Sequence, residues 1–383
     1  MKRSEVKGKG GDQGSASAGD NSQGIHRVSL RELAAHLGLS MTTVSRVLNH
    51  SGPEYRISAA TRQRVREAAA SLNYAPNAFA RGLRNKRSFT VGVMVPEISE
   101  GYAAAVLGGI EDALLEKKFF YFVVSHRHRT DLLESYPRLL LSRSVEGIIA
   151  VDTPIHERPP VPVVAVSGHH HGKGILSIEL DHLTAARYAL SHLSELGHTR
   201  IAFIKGQTFS SDTRSRWDAI RTVCSTLHIP IRPELVVQLE GMAPGSDSGY
   251  VATQKLLKNG HNFSAMFCFN DASAIGAITA LHEAGLDVPH QVSVVGFDDV
   301  PSAATIRPGL TTVRQPLYEM GRTAAINLLK LIANGKGDAP QHLILVEPTF
   351  IRRQSTAKFV KDQEPARTST RSAKQQNVPA VKR

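Results

Sequence analysis

Between residues 90 and 296 short apolar runs alternate with amphipathic stretches of helical length, and this alternation constrains the fold more than any other feature. The runs Thr90–Val95, Phe120–Ser125 and Gly147–Val151 read as strands, with helices expected over 103–117 and 131–143 between them. A second series places strands at 175–178, Ile201–Lys205, 236–239, 265–269 and 292–296, with helices at 182–196, 214–227, 250–258 and 272–284. Continuously apolar strands are buried on both faces, which calls for a parallel sheet covered by helices on each side. Two such series predict two doubly wound parallel-sheet subdomains. Ligands of such sheets sit beyond the carboxyl ends of the strands.

Reading those strand ends gives a candidate pocket. Glu97, Ser99 and Tyr102 follow the first strand, His126 and Arg127 the second, and Asp152 the third. In the second series the strand ending at Gly206 leads to Arg214, the next to Asn270 and Asp271, and the last to Phe297, Asp298 and Asp299. Arg and Asn donate to hydroxyl oxygens, Asp accepts from two adjacent hydroxyls, and an aromatic plane covers an apolar ring face. Asp271 is expected to act instead as the cap of the helix that begins there. Trp217, the only tryptophan, either stacks on a ligand or fills core; both readings stay open. His126 and His128 share one side of an extended segment and would make a pocket pH-sensitive. His169, His170 and His171 are consecutive and lack a Cys or carboxylate partner at metal spacing, so a solvated loop is expected and no metal site. Cys224 and Cys268 lie far apart in apolar segments and suit buried reduced thiols.

The amino-terminal part has a different pattern. Ser29-x-x-Glu32 is a capping box, and Leu30, Leu33, Ala34 and Leu37 fall on one helical face before Gly38 closes the helix. Ser40 is placed to cap a second helix, over Ser40 to Asn49, that keeps Val44, Val47 and Leu48 for a small core. Met41, Thr42 and Arg46 face outward. A third helix is expected from Ser58, with Thr61, Val65, Ala68, Ala69 and Leu72 facing inward. Helix, tight turn and helix is the arrangement that carries side chains into the DNA major groove.

Together with the segment Leu-Asn-Tyr-Ala-Pro-Asn-Ala-Phe-Ala-Arg-Gly-Leu-Arg at 72–84, this module resembles the lactose-repressor/galactose-repressor family of bacterial transcription regulators. The resemblance runs from about Val28 to about Phe350. It includes Phe-Asn-Asp-x-x-Ala-x-Gly at 269–276, Val-Ser-Val-Val-Gly-Phe-Asp-Asp at 292–299 and Leu-Thr-Thr-Val-Arg-Gln-Pro at 310–316. It implies a periplasmic-binding-protein-like effector domain behind a three-helix DNA-binding domain. It also implies DNA contacts from Ser40, Met41, Thr42, Thr43, Ser45, Arg46 and Asn49, and from a hinge containing Asn77, Ala80 and Leu83. In relatives a hinge leucine wedges into the minor groove, and Leu83 occupies that position; such a wedge kinks the duplex. The positions matching Arg214, Asn270 and Asp298 contact effector in relatives, and Glu97, Tyr102, His126, Trp217 and Phe297 are expected around them. The loop from His50 to Arg56 is longer than the usual family connection.

The expected organisation is a disordered tail over 1–25, a DNA-binding domain over 26–74, a hinge over 75–88, an effector domain over 89–351 and a basic tail over 352–383. Charge follows it: residues 1–90 hold 15 Lys/Arg against 6 Asp/Glu, residues 352–383 hold 9 against 2, and those between hold 22 against 26. A basic excess confined to the ends suits a polyanionic partner and a salt-dependent affinity. The first residues lack the apolar core of a signal peptide, so a cytoplasmic protein without membrane spans is expected. The carboxy-terminal tail has no leucine beyond Leu345 and hence no heptad seam, which predicts a homodimer. The expected partners are double-stranded operator DNA and a sugar or sugar derivative, with no cofactor. No nucleophile elbow, phosphate loop or dinucleotide fingerprint is present, so an enzyme is not expected. The alternative is a sugar-binding protein without regulatory role.

Overall fold

Capping and a shared apolar face define the amino-terminal unit. A computed structural model of the chain describes residues 28–49, 57–74, 87–98, 101–167, 174–241, 245–260, 262–335 and 343–360. These fall in two units, Met1–Asn85 and Lys86–Arg383. In the first, α1 (Leu30–Leu37) starts at a reciprocal cap: Ser29 Oγ accepts from the Glu32 N–H, and Glu32 accepts from the Ser29 N–H. It ends at Gly38, whose φ of 63° only a residue without Cβ adopts at little cost. Ser40 Oγ accepts from the Thr43 N–H at 3.1 Å and opens α2 (Met41–Asn49). Ser58 does the same for α3 (Ala59–Ser71). Leu33, Ala34, Val44, Val47, Val65, Ala68 and Ala69 form the core that the three helices share.

The second unit has two lobes. The first lobe is a six-stranded, all-parallel sheet, built from β1 (Thr90–Val95), β2 (Phe120–Ser125), β3 (Gly147–Val151), β4 (Val163–Val166), β5 (Leu176–Leu180) and β11 (Leu343–Val346). Their order is β11-β5-β4-β3-β1-β2. Helices α4 (Gly101–Glu116) and α11 (Leu317–Asn334) cover the face of Val91, Val93 and Val95. Helix α5 (Thr130–Ser142) sends Leu140 against Met94 and Ile148 on the other.

The second lobe orders β6 (Ile201–Lys205), β7 (Val236–Gln238), β8 (Ala265–Cys268), β9 (Ser293–Asp298), β10 (Thr311–Arg314) and β12 (Thr349–Ile351) as β12-β10-β9-β8-β6-β7. Only the β10–β12 pair is antiparallel. Helices α6 (His182–Glu195) and α7 (Ser211–Thr226) enclose Phe203, Phe267 and Phe297. Helices α8 (Gly245–Lys258) and α9 (Asp271–Glu283) enclose Met266, Cys268 and Val294, and the short α10 (Pro301–Thr305) adds Ala303.

The two sequence series are therefore not simply the two lobes in order. The chain crosses after β5, returns after β10 so that α11 and β11 complete the first lobe, and crosses again so that β12 joins the second. These late elements and β4 were not read from the sequence as elements. Three crossings between two sheets make a cleft with the carboxyl strand ends on both walls. No helix among the described residues is long and apolar enough to cross a membrane.

Each lobe also has one helix pair in backbone contact. A methyl group on Gly109 of α4 would overlap the Tyr318 carbonyl of α11, and one on Gly321 of α11 would overlap the Val106 carbonyl. In the other lobe Gly249 of α8 meets Ser273 and Gly276 of α9 meets Ser246 in the same reciprocal way. Backbone cannot yield as a flexible side chain does, so added volume here is strongly felt. Gly276→Ala is expected to lower the unfolding free energy by about 1–3 kcal/mol. Chemical denaturation checks this; a variant as stable as wild type would contradict the contact.

Candidate functional site

The outward face of α2 is the first candidate surface. Met41 is 52% exposed, Thr42 and Arg46 are exposed beside it, and Val44 and Val47 are buried beneath. Thr43 is half-buried and its hydroxyl meets Ser40 Oγ at 2.9 Å, so these two serve the helix start. Ser45 is half-buried. Arg31, Arg64 and Arg66 are exposed on the neighbouring helices. The side chain of Asn49, and Asn77, Ala80 and Leu83 with the long loop at 50–56, lie outside the described residues.

The second candidate is the cleft between the lobes. Asp152, just past β3, reaches across to the start of α7: Oδ1 accepts from the Ser211 N–H at 3.1 Å, and Oδ2 from Ser210 Oγ at 3.3 Å. Ser211 Oγ lies 2.5 Å from Asp152 Oδ1 and also against the Ser167 carbonyl oxygen beyond β4. One hydroxyl hydrogen cannot serve two acceptors, so a proton on Asp152 completes the set. Burial, reinforced by the Asp212 carboxylate, indeed pushes Asp152 up to about 7. At the rim the His128 and Phe209 rings, one from each lobe, stack with centroids 3.9 Å apart.

Deeper in the cleft, Arg216 is 4% exposed. Its Nη2 donates to Asp212 Oδ2 at 3.0 Å and its Nη1 to the Phe269 carbonyl. The guanidinium carbon lies 3.7 Å from the Phe297 ring centroid and 4.5 Å from that of Phe269. Buried carboxylates flank it. Asp298 accepts from Gln315 Nε2 at 2.6 Å, and burial drives its carboxyl well above the usual range despite the nearby Arg216 charge. Burial, with Asp212 and Asp152 nearby, likewise raises the Tyr102 phenol.

Some polar groups in this network have no hydrogen-bond partner in the chain. Arg216 Nε and Gln315 Oε1 are buried in that condition, and the Tyr102 and Ser167 hydroxyls have only each other. Each such group costs about 1–3 kcal/mol. The backbone is also strained around the cleft: φ is 46° at Arg127, 55° at His128, 39° at Asp152, 56° at Ser167, 107° at Asp298 and 58° at Asp299. Such residues cost about 1–3 kcal/mol each and gather at functional sites.

With both surfaces in view, the comparisons with known proteins are decisive. Residues 29–77 match the model of bacterial regulatory proteins of the lacI family, and residues 190–356 match a periplasmic binding protein-like domain. Catabolite control protein A of Priestia megaterium is 31% identical over 337 residues, 86% of this chain and 99% of that protein. The chain belongs to the lacI family. It is a DNA-binding transcription regulator. A lac repressor dimer bound to operator and the anti-inducer ONPF superposes with a TM-score of 0.74 at 27% identity, covering 87% of this chain and all of that one. The CelR–cellobiose complex, a transcriptional regulator, superposes with a TM-score of 0.64 at 28% identity, covering 86% and 100%.

Against this family framework several expected site residues move. Arg214 is not in the cleft: its side chain is 93% exposed and meets Asp218 at 3.9 Å on the outer side of α7. Arg216, two residues on, takes the inward position. Phe297 is fully buried beneath the guanidinium and offers no face to a ligand. His126 is fully buried too, its Nε2 2.9 Å from Thr153 Oγ1 and its Nδ1 accepting from the His128 N–H. His128 is the residue that reaches the rim. Trp217 packs edge-on against Phe203 in the lobe core with Lys205 Nζ over its ring.

The cap of α9 is Asn270, not Asp271: Asn270 Oδ1 accepts from the Ser273 N–H at 2.9 Å. Asp271 instead lies buried, accepting from Thr312 Oγ1 and the Val300 N–H. Glu97 is half-buried near His128, and the buried Tyr102 hydroxyl lies beside Ser167. Both cysteines are free and buried, and burial pushes Cys224 up to about 12. His169, His170, His171 and Ser99 lie outside the described residues.

Asp271 gives a pH test of this buried acidic region. Burial pushes it up to about 7 from an unfolded value of 3.8. A carboxyl raised on folding contributes stability that is complete below the unfolded value and lost as pH climbs to the folded one. Over that window the loss amounts to about 4 kcal/mol. The stability of wild type minus that of Asp271→Asn is therefore expected to fall by several kcal/mol between pH 4 and pH 8 in urea unfolding. A difference independent of pH would contradict the assignment.

Proposed function

We propose that the chain is a dimeric repressor whose affinity for operator DNA is set by a small sugar-like effector held between the two lobes. The observation that carries this reading is the closed interlobe cleft. Half-buried Tyr102 and buried Ser167, Arg216 and Gln315 keep unused hydrogen-bonding atoms there, in a chain that also presents an exposed recognition helix. Arg46 on that helix contributes a bidentate contact to guanine, with Met41 and Thr42 on neighbouring base edges. Asp298, Asn270 and Arg216 anchor the effector, with Tyr102 and Asp152 from the opposite lobe. An effector that prefers one lobe arrangement shifts operator affinity, and operator shifts effector affinity by the same factor.

The cleft is read as a binding site rather than a catalytic one. The relatives are regulators. Operator binding requires the cytoplasm, and two protomers are required to read a two-fold site. The lac repressor relative is a dimer on operator, and the CelR relative holds cellobiose.

Two measurements test the reading. A thermal-shift screen of neutral mono- and disaccharides is expected to yield a sugar that raises the Tm of wild type and leaves Asp298→Ala unmoved. Equal shifts in both would put the site elsewhere. On DNA selected from a random pool, Arg46→Ala is expected to weaken binding by about 1–3 kcal/mol, roughly ten- to hundredfold, with unchanged far-ultraviolet circular dichroism. Undiminished sequence-specific binding would remove α2 from the interface.

A further inference from the structure

The boundary between the two units falls at Lys86, and the three residues that follow it are held by one side chain. Glu146, immediately before β3, accepts from Arg87 Nε at 2.7 Å through Oε2. Its Oε1 accepts from the Phe89 N–H at 2.7 Å and lies 3.5 Å from Ser88 Oγ. Donors from three consecutive residues thus converge on a carboxylate that is 13% exposed. The backbone around this grip is tied as well. The Glu146 N–H donates to the Thr90 carbonyl, Thr90 Oγ1 donates to the Ser88 carbonyl, and the Phe89 carbonyl accepts from the Phe120 N–H. The Arg87 guanidinium carbon lies 4.9 Å from the Phe89 ring centroid.

The sheet does not need this grip. β1 pairs with β2 over all six of its residues and with β3 over four, and every one of the six is buried. The strand is fixed without help from the residues before it. An ion pair that is half open to solvent on its Arg87 side also adds little to stability. What the grip does is hold Phe89 at φ 51°, a region that a bulky side chain seldom enters, with its ring left exposed. Such strain persists only where the surroundings over-determine it, and it gathers at clamps and switch regions. Here it sits where the chain passes between the first lobe and the DNA-binding unit.

We propose that Glu146 is a positioning residue for operator binding. By gripping Arg87, Ser88 and Phe89 it fixes the point and direction from which the connection to the DNA-binding unit departs. Ordering a backbone costs conformational entropy, and residues already ordered in the free protein add nothing to that cost when DNA binds. The inference rests on the dimeric reading of a two-fold operator proposed above. Two recognition helices meet such a site at a set spacing, which requires both departures to be fixed. Non-specific contact through phosphates keeps no register and does not require it. Arg87 acts as the partner of Glu146 and not as a contact to DNA.

Binding of the full chain to DNA selected from a random pool, and to an unrelated duplex of equal length, tests this. Glu146→Ala is expected to weaken binding to the selected DNA at least tenfold and to the unrelated duplex less than twofold, with unchanged far-ultraviolet circular dichroism. Arg87→Met is expected to weaken selected binding on its own and to add less than twofold to Glu146→Ala, because the partner it served is gone. Undiminished binding of Glu146→Ala to a two-fold selected site overturns the proposal. Equal losses on both duplexes also overturn it, since they mark a general defect. So does an Arg87→Met loss that persists in the double variant with a shallower salt dependence, which marks Arg87 as a phosphate contact. Should Glu146→Ala fail to fold, Arg87→Met, which leaves Glu146 on the Phe89 N–H, decides by the same comparison of the two duplexes. Selected DNA that carries a single half-site overturns the dimeric reading and the proposal with it.

Discussion

A single buried guanidinium organises the cleft. Placing Arg216 out of water is tolerated because Asp212, the Phe269 carbonyl and the Phe269 and Phe297 rings replace its hydration. Removing one partner of such a pair leaves a buried charge and costs about 3–5 kcal/mol. Phe297 belongs to β9 and Asp212 to α7, so the cation ties the floor of the second lobe to the helix whose start Asp152 holds from the first. The interlobe contact, the carboxylate cluster and the strained strand ends all converge on this short stretch of α7.

The strain and the unpartnered polar atoms have one physical sense. A cleft that satisfied all of its own groups would have nothing left for a ligand. Asp298, with φ of 107° and a buried carboxyl, and Gln315, with an unused oxygen, persist because the surrounding sheet over-determines them. On the function proposed above, a ligand that completes their hydrogen bonds stabilises the closed lobes, and that differential is what a regulator transmits. The reciprocal glycine contacts in each lobe leave no room for added volume between the paired helices.

Much of this was legible in the sequence. The capping of α1 and α2 and the parallel strands follow from local pattern and spacing, and the family from its motifs. The side that a residue takes on a helix was harder to read. Arg214 and Arg216 are two positions apart, about 200° around the axis, so they point to opposite faces. The phase was available: Asp212, Arg216, Ala219, Ile220, Val223 and Cys224 form one buried stripe, while Arg214, Asp218 and Arg221 form the charged outer one. Phe297 and His126 were misplaced for a related reason, since alternate strand-end residues turn into the lobe rather than the cleft. Lobe membership of α11, β11 and β12 is not a local property, because the three crossings depend on long-range pairing.

The central claim is that Arg216 and the carboxylates around it form the ligand site that controls DNA binding. Operator affinity of wild type and of Arg216→Met, titrated with a sugar that stabilises wild type, tests it most directly. The account predicts that both proteins bind operator alike without sugar, and that sugar changes the affinity of wild type by about 5- to 150-fold while leaving the variant unchanged. An Arg216→Met protein that responds to the sugar as wild type does would contradict it.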